Sequence, residues 1–235
     1  MNPASPSLFL FDIDGTLLLT GGSGYRSFVR SCQEVLEISG PLDGVGMAGK
    51  LDRMIFQEIV ERFRPDLAQK ELTEYWEDFK EKYIEYLHAE SLDPSRWSLM
   101  PGVAELVEFA ASLGSLALLT GNVREGAMIK LSVLGLDKYF PTGGFGEQTV
   151  TRQRLAETAF SEACRYYGTE FARERTFVLG DTVHDILAAK AIGAKSIAVA
   201  TGTVSADELA SAGADLLVEN FLDGAQAVRQ FISEQ

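Results

Sequence analysis

Leu8-Phe9-Leu10-Phe11-Asp12-Ile13-Asp14-Gly15-Thr16-Leu17-Leu18-Leu19 is the stretch on which the reading of the fold turns. Its first four residues make an apolar run long enough for one buried strand and too short for an ordinary helix. Asp12 and Asp14 follow, and residues two apart on a strand point the same way. Gly15 and Thr16 break the run before a second apolar segment begins. Carboxylates delivered to the end of a buried strand are costly unless a cation meets them. That edge is therefore the first place to look for a site.

Composition bounds what the site can serve. The chain has 235 residues, 46% hydrophobic and 23% charged, which suits a globular protein with a substantial core. No apolar run approaches the ~18 residues of a membrane span, so no membrane partner is expected. The opening residues, "MNPASPS", lack the basic and apolar pattern of a secretory signal. Cys32 and Cys164 stand far apart with no metal-ligand spacing, and are read as neutral thiols of a cytoplasmic protein. A formal charge of −13 argues against a nucleic-acid partner, which requires a basic face. It also repels anionic substrates at long range, so a phosphate site must be locally positive.

Outward from the first strand, a glycine-rich loop (residues 20–24) leads into three amphipathic helices, expected from near 23 to the Gly40-Pro41 stop, over 51–63 and over 71–89. Their stripes carry Phe28 and Cys32, Ile55 and Ile59, and Trp76, Phe79 and Tyr83. The stretch 43–52, "DGVGMAGKLD", joins the first two and carries Lys50 and Asp52. From Pro101 the pattern changes. Pro101 suits the first turn of a helix running to Gly114. Strands are expected over 115–119, 176–179, 196–200 and 216–218, with a short one over 138–142. Helices are expected over 124–134, 152–167, 183–192 and 222–232. This alternation with glycine stops predicts an α/β fold, a doubly wound and mainly parallel sheet. The first crossover needs one helix, and residues 101–113 supply it. Residues 20–96 are surplus and read as an all-helical cap inserted into a core of 1–19 and 97–235.

Ligands of open α/β sheets bind at the carboxyl ends of the strands. Those ends carry Asp12 and Asp14, then Thr120-Gly121-Asn122, then Asp181 and Asp185, while Arg152 arrives at a helix start. Carboxylates converging on one crevice call for a divalent ion, and hard oxygens suit Mg²⁺. Zinc would want His or Cys, and neither His88 nor His184 has a partner at ligand spacing. His88 is expected at the surface or packed on its helix, and His184 at the pocket mouth or outside it. Thr120 and Gly121 offer donors at a helix mouth for a phosphate oxygen. Arg152 supplies a fixed positive fork, with Arg154 as its rival.

Four places now resemble the motifs of the haloacid dehalogenase superfamily, in order. "DIDGT" (12–16) resembles its first motif, DxDGT. Thr120 matches the Ser/Thr of the second, Arg152 in "TRQRL" stands where the third has Lys or Arg, and "GDTVHD" (180–185) is similar to the fourth, GDxxxD. The stretch "AKAIGAKSIAVATG" resembles the phosphoglycolate-phosphatase-like branch. The chain departs at the third motif, where many members carry "GKP". The resemblance implies Asp12 as nucleophile and Asp14 as general acid/base. It also implies a metal among Asp12, Asp14, Asp181 and Asp185, with Asp185 acting through water or orienting the basic residue. Gly15, Thr16, Thr120, Gly121, Asn122 and Arg152 are expected around the phosphate. "GKLD" (49–52) is similar to the G-[KR]-T-D stretch of related caps, which implies a substrate contact for Lys50. The implied function is Mg²⁺-dependent hydrolysis of a small phosphorylated metabolite through an aspartyl-phosphate, by a monomer or homodimer. A sugar-phosphate mutase and a non-catalytic binding module are the alternatives. A dehalogenase has no use for Asp14, and a phosphonate hydrolase would need Lys50 as its Schiff-base lysine.

Overall fold

In chain order the elements begin with β1 (Ser7–Phe11) and β2 (Leu18–Leu19), then the helices α1 (Ser23–Val35), α2 (Asp52–Phe63) and α3 (Leu72–Ser91). β3 (Ser98–Leu99), α4 (Val103–Leu113), β4 (Gly114–Leu119), α5 (Arg124–Val133), β5 (Gly143–Gly144) and α6 (Arg152–Tyr167) follow. The chain ends with β6 (Thr176–Gly180), α7 (Val183–Ala191), β7 (Lys195–Val199), α8 (Ala206–Ser211), β8 (Leu216–Val218) and α9 (Ala225–Ser233). The structure is a computed structural model and describes residues 6–67, 72–149 and 151–235. The "MNPAS" part of the N-terminal segment, the Glu71 start expected for the third helix, and Val150 lie outside the described residues.

Six parallel strands form one sheet in the order β5-β4-β1-β6-β7-β8. β1 is apolar from Leu8 to Phe11 because both of its faces are covered. Phe9 and Phe11 pack with Val103 and Val107 of α4, Leu131 of α5 and Val228 of α9. Leu8 and Leu10 face Leu155 and Ala159 of α6 and Ala188 of α7. A sheet wound on both faces is the expected fold class. It brings the carboxyl ends of β4, β1 and β6 side by side.

The three helices α1–α3 form an insertion between β2 and β3, two-residue strands that pair antiparallel, Leu18 with Leu99 and Leu19 with Ser98. The insertion has its own aromatic core of Phe28, Phe56, Trp76, Phe79 and Tyr83, with Phe79 stacked on both Trp76 and Tyr83. Leu51 leaves that core and is buried instead against Leu119 and Leu155 of the sheet layer.

Three local expectations are corrected. The helix expected from Pro101 begins at Val103, because Gly102 adopts φ +83° and a β-carbon there would meet the Leu222 backbone nitrogen at 2.3 Å. This left-handed turn requires glycine and cannot be part of a helix. The strand expected over 138–142 is a 3₁₀ turn, Asp137–Tyr139. The outer pairing falls instead to Gly143 and Gly144, which join β4 through backbone alone. The C-terminal helix starts at Ala225, three residues later than the spacing suggests.

Candidate active site

Local chemistry places each acid. The Asp12 backbone N–H still donates to Leu179 O (3.0 Å), so Asp12 leaves β1 in sheet register, and it is buried. The chain then turns at Gly15, φ +81°, where a β-carbon would lie 2.5 Å from Asp181 Oδ2. Only glycine combines that dihedral with that approach. Thr16 Oγ1 donates to Asp181 Oδ1 (3.0 Å), so this hydroxyl holds a carboxylate in place. Beyond β6, Thr182 caps α7 and Asp185 stands at its third position. The Thr182 N–H and Oγ1 donate to Asp185 Oδ2 at 3.1 and 2.7 Å. This capping box leaves Asp185 Oδ1 facing inward.

Arg152 meets it there. It is the first residue of α6, whose cap Thr151 accepts from the Arg154 N–H (3.2 Å). Arg152 Nη2 lies 2.5 Å from Asp185 Oδ1 and 2.9 Å from Asp12 Oδ2, and donates to Leu119 O at 3.3 Å. Arg152 is buried, whereas its rival Arg154 is exposed.

Oxygens of Asp12, Asp181 and Asp185 lie within 4.8 Å of one another, all three residues buried. Burial pushes the Asp12 carboxyl above its ordinary range. Arg152 opposes that shift, while Asp185 and Asp14 add to it. Burial raises Asp181 as well, reinforced by Asp12 and Asp185 against the Thr16 hydrogen bond. Desolvation disfavours the Arg152 charge, but the two adjacent carboxylates more than offset it and hold the guanidinium charged. One buried cation against three buried acids leaves a deficit of positive charge, and the donors are all hard oxygens. The cluster therefore fits a divalent ion such as Mg²⁺.

The Asp14 side chain turns away from this cluster. Both of its oxygens lie 2.7 Å from Lys130 Nζ, and Oδ2 also accepts from Asn122 Nδ2 at 2.7 Å. Lys130 Nζ donates in addition to Asn122 Oδ1 (2.7 Å) and is only 4% exposed. No motif points to Lys130; the signal for it is position, since with Ala127 and Leu131 it lies on the buried stripe of α5, where a lysine needs a partner. Asn122, expected at the phosphate, is engaged with Asp14, Lys130 and the Thr120 hydroxyl (2.8 Å). Thr120 is fully buried beside it.

The insertion docks on this edge through "GKLD". The Asp52 N–H donates to Gly121 O (2.8 Å), and Asp52 Oδ2 accepts from the Val123 N–H (2.9 Å). Burial pushes the Asp52 carboxyl up to about 7, with Lys130 and the Val123 hydrogen bond opposing. Lys50 reaches the cavity rim with its Nζ 2.5 Å from Glu58 Oε2. His184 is exposed, next to Gly49, and His88 is exposed on α3. Cys32 and Cys164 are free thiols, the former buried. Among the described residues, no helix is long and apolar enough to cross a membrane. Between insertion and sheet lies a cavity of about 300 Å³, with Asp12, Asp14, Arg152 and Asp181 on the core side.

Comparison with known proteins agrees with this geometry. The profile of the haloacid dehalogenase-like hydrolases matches residues 6–193. The chain is 27% identical to a phosphoglycolate phosphatase of Agrobacterium fabrum over 206 residues, 85% of this chain and 82% of that one. It is 26% identical to a probable phosphatase, IndB, of Dickeya dadantii, over 91% and 90% of the two chains. Among solved structures, CbbY from Rhodobacter sphaeroides in complex with xylulose-(1,5)bisphosphate superposes with a TM-score of 0.71 at 21% identity, covering 93% and 96%. Strand-end acids, buried arginine and helical insertion thus stand in a chain that belongs to the haloacid dehalogenase-like hydrolases.

Proposed function

We propose that this hydrolase is a Mg²⁺-dependent phosphomonoesterase acting on a small phosphorylated metabolite, with residues 20–96 as the cap over a core of 1–19 and 97–235. The observation that carries the reading is the pairing of a buried, Arg152-bound Asp12 with a cavity-facing Asp14 two residues on. Asp12 attacks phosphorus in line, the P–O bond to the leaving group breaks, and Asp14 hands that oxygen its proton. Water then attacks the aspartyl-phosphate, losing its proton to Asp14, so alcohol and inorganic phosphate leave and both acids are regenerated. Lys130 and Asn122 fix the direction in which Asp14 presents its oxygens. Arg152 aligns Asp12 and balances charge on the transferring group, and Asp185 orients Arg152. A Mg²⁺ ion held by Asp12, Asp181 and Asp185 would add Lewis-acid charge neutralisation at the phosphoryl oxygens. The docked insertion excludes bulk water from the acyl phosphate.

Phosphate release across a panel of small monoesters, with and without Mg²⁺, tests this reading. Release that needs Mg²⁺ and vanishes in Asp12→Asn is the expected result. Isomerised sugar phosphate without release would point to a mutase, and no reaction with any ester would leave a binding protein.

A further inference from the structure

The charged groups that line the cavity leave no cation free for a second anionic group. Four carboxylates (Asp12, Asp14, Asp52, Asp181) and three cations (Lys50, Lys130, Arg152) line it among the described residues. Each cation already has an acid. Arg152 bridges Asp12 and Asp185, Lys130 holds both oxygens of Asp14, and Lys50 is 2.5 Å from Glu58. A divalent ion in the acid cluster would be matched by the phosphoryl group it serves. The larger apolar and aromatic side chains that line the cavity are Leu19, Tyr25, Phe28, Met47, Ile55 and Tyr83. Two of these, Leu19 and Tyr25, are 45% and 55% exposed, so apolar surface stands open at the cavity mouth.

We infer, on the phosphomonoesterase reading above, that the leaving group is uncharged and carries an apolar ring or branched chain. A carboxylate or second phosphate would have to displace Asp14 from Lys130 or Glu58 from Lys50. An apolar leaving group removes Leu19, Tyr25 and Met47 from water instead. The cavity of about 300 Å³ is at the small end of ligand pockets, which favours one ring over a long chain.

The test compares benzyl phosphate with 2-phosphoglycolate and fructose 1,6-bisphosphate, on the full chain with Mg²⁺. All three release alkyl alcohols, so leaving-group reactivity does not dominate the comparison as it would for an aryl ester. The expected kcat/KM for benzyl phosphate is about tenfold or more above both, the size of effect that burial of one ring gives. Tyr25→Ala, at the exposed rim, should lower kcat/KM for benzyl phosphate alone, and Tyr25→Lys should raise it for 2-phosphoglycolate. Preference for either anionic ester, or an equal loss on all three in Tyr25→Ala, overturns the inference and leaves the phosphatase reading standing. No release from these esters or from 4-nitrophenyl phosphate overturns both.

Discussion

Lys130 Nζ sits 2.7 Å from each carboxylate oxygen of Asp14, on a helix that follows the second strand end in sequence. The lysine also holds Asn122, so three side chains form one clamp whose open face is the cavity. Lys130→Met should lower kcat by about 10- to 100-fold with little change in KM, a fraction of what a positioned acid/base contributes. Lys130→Arg should not restore it, because a planar fork does not fit where a point donor reaches three oxygens. Steady-state kinetics beside a thermal melt would check this, and an unchanged kcat in a folded Lys130→Met protein would remove the clamp from the mechanism.

Asp12→Asn should fold and lose turnover by more than about 10³-fold, since loss of a nucleophile is not made up by its neighbours. The same protein should still bind Mg²⁺ through Asp181 and Asp185, though more weakly. A phosphate-release assay alongside circular dichroism would decide, and retained turnover would assign the nucleophile elsewhere.

Mg²⁺ itself should raise the melting temperature. At a concentration near a hundred times its dissociation constant, the gain is about 2.7 kcal/mol, or roughly 5–10 °C for a chain of this size. Asp181→Asn, which removes one of three clustered acids, should abolish most of that shift. A full shift in this variant would place the ion somewhere else.

Asp52 gives a pH dependence of defined sign. Its carboxyl titrates near 7 in the fold and near 3.9 in an open chain. Below about pH 4 both forms are protonated and the residue costs nothing. Between about pH 4 and 7 the open chain ionises and the fold does not, so stability falls as pH rises; above 7 the loss is constant. Asp52→Asn keeps an oxygen for the Val123 N–H and removes the titration. The melting temperature of the variant should gain on that of the parent from pH 4 to pH 7. A difference that stays flat would show that Asp52 is not buried in solution.

Gly121→Ala tests the docking of the insertion. A β-carbon there would lie 2.2 Å from Lys50 O, and backbone oxygen cannot move aside as a side-chain tip can. The loop at 49–52 should be displaced, costing about 1–3 kcal/mol and raising KM for every ester. Unchanged KM values would mean that the insertion works undocked.

The parts of this architecture that could be read from sequence are those written in side chains. β1, β4, β6 and β7 each carry an apolar run because helices cover both faces, and β1, β4 and β6 lead into polar residues that have to find partners. Thus Asp12, Asp181, Asp185 and Arg152 could be named from their places at element ends. Lys130 could not be found that way, since it lies in the last turn of α5, away from any strand end, and its partners are 116 and 8 residues away. Asp52 shares the buried side of α2 with Ile55 and Ile59, a polar position inside an apolar stripe. β5 was out of reach for another reason: Gly143 and Gly144 have no side chains, so no alternation marks a strand that pairs by backbone alone. The β2–β3 pair, two residues on each side, is shorter than any period that could reveal it.

That small pair has an engineering consequence. Both ends of the insertion pass through it, so they leave the core at neighbouring points, about 4.8 Å apart as paired strands are. A splice at this neck would let the whole helical unit be exchanged for another of its kind without re-registering the sheet below. Such a graft would exchange the insertion's side of the cavity while the acids beneath stayed in place.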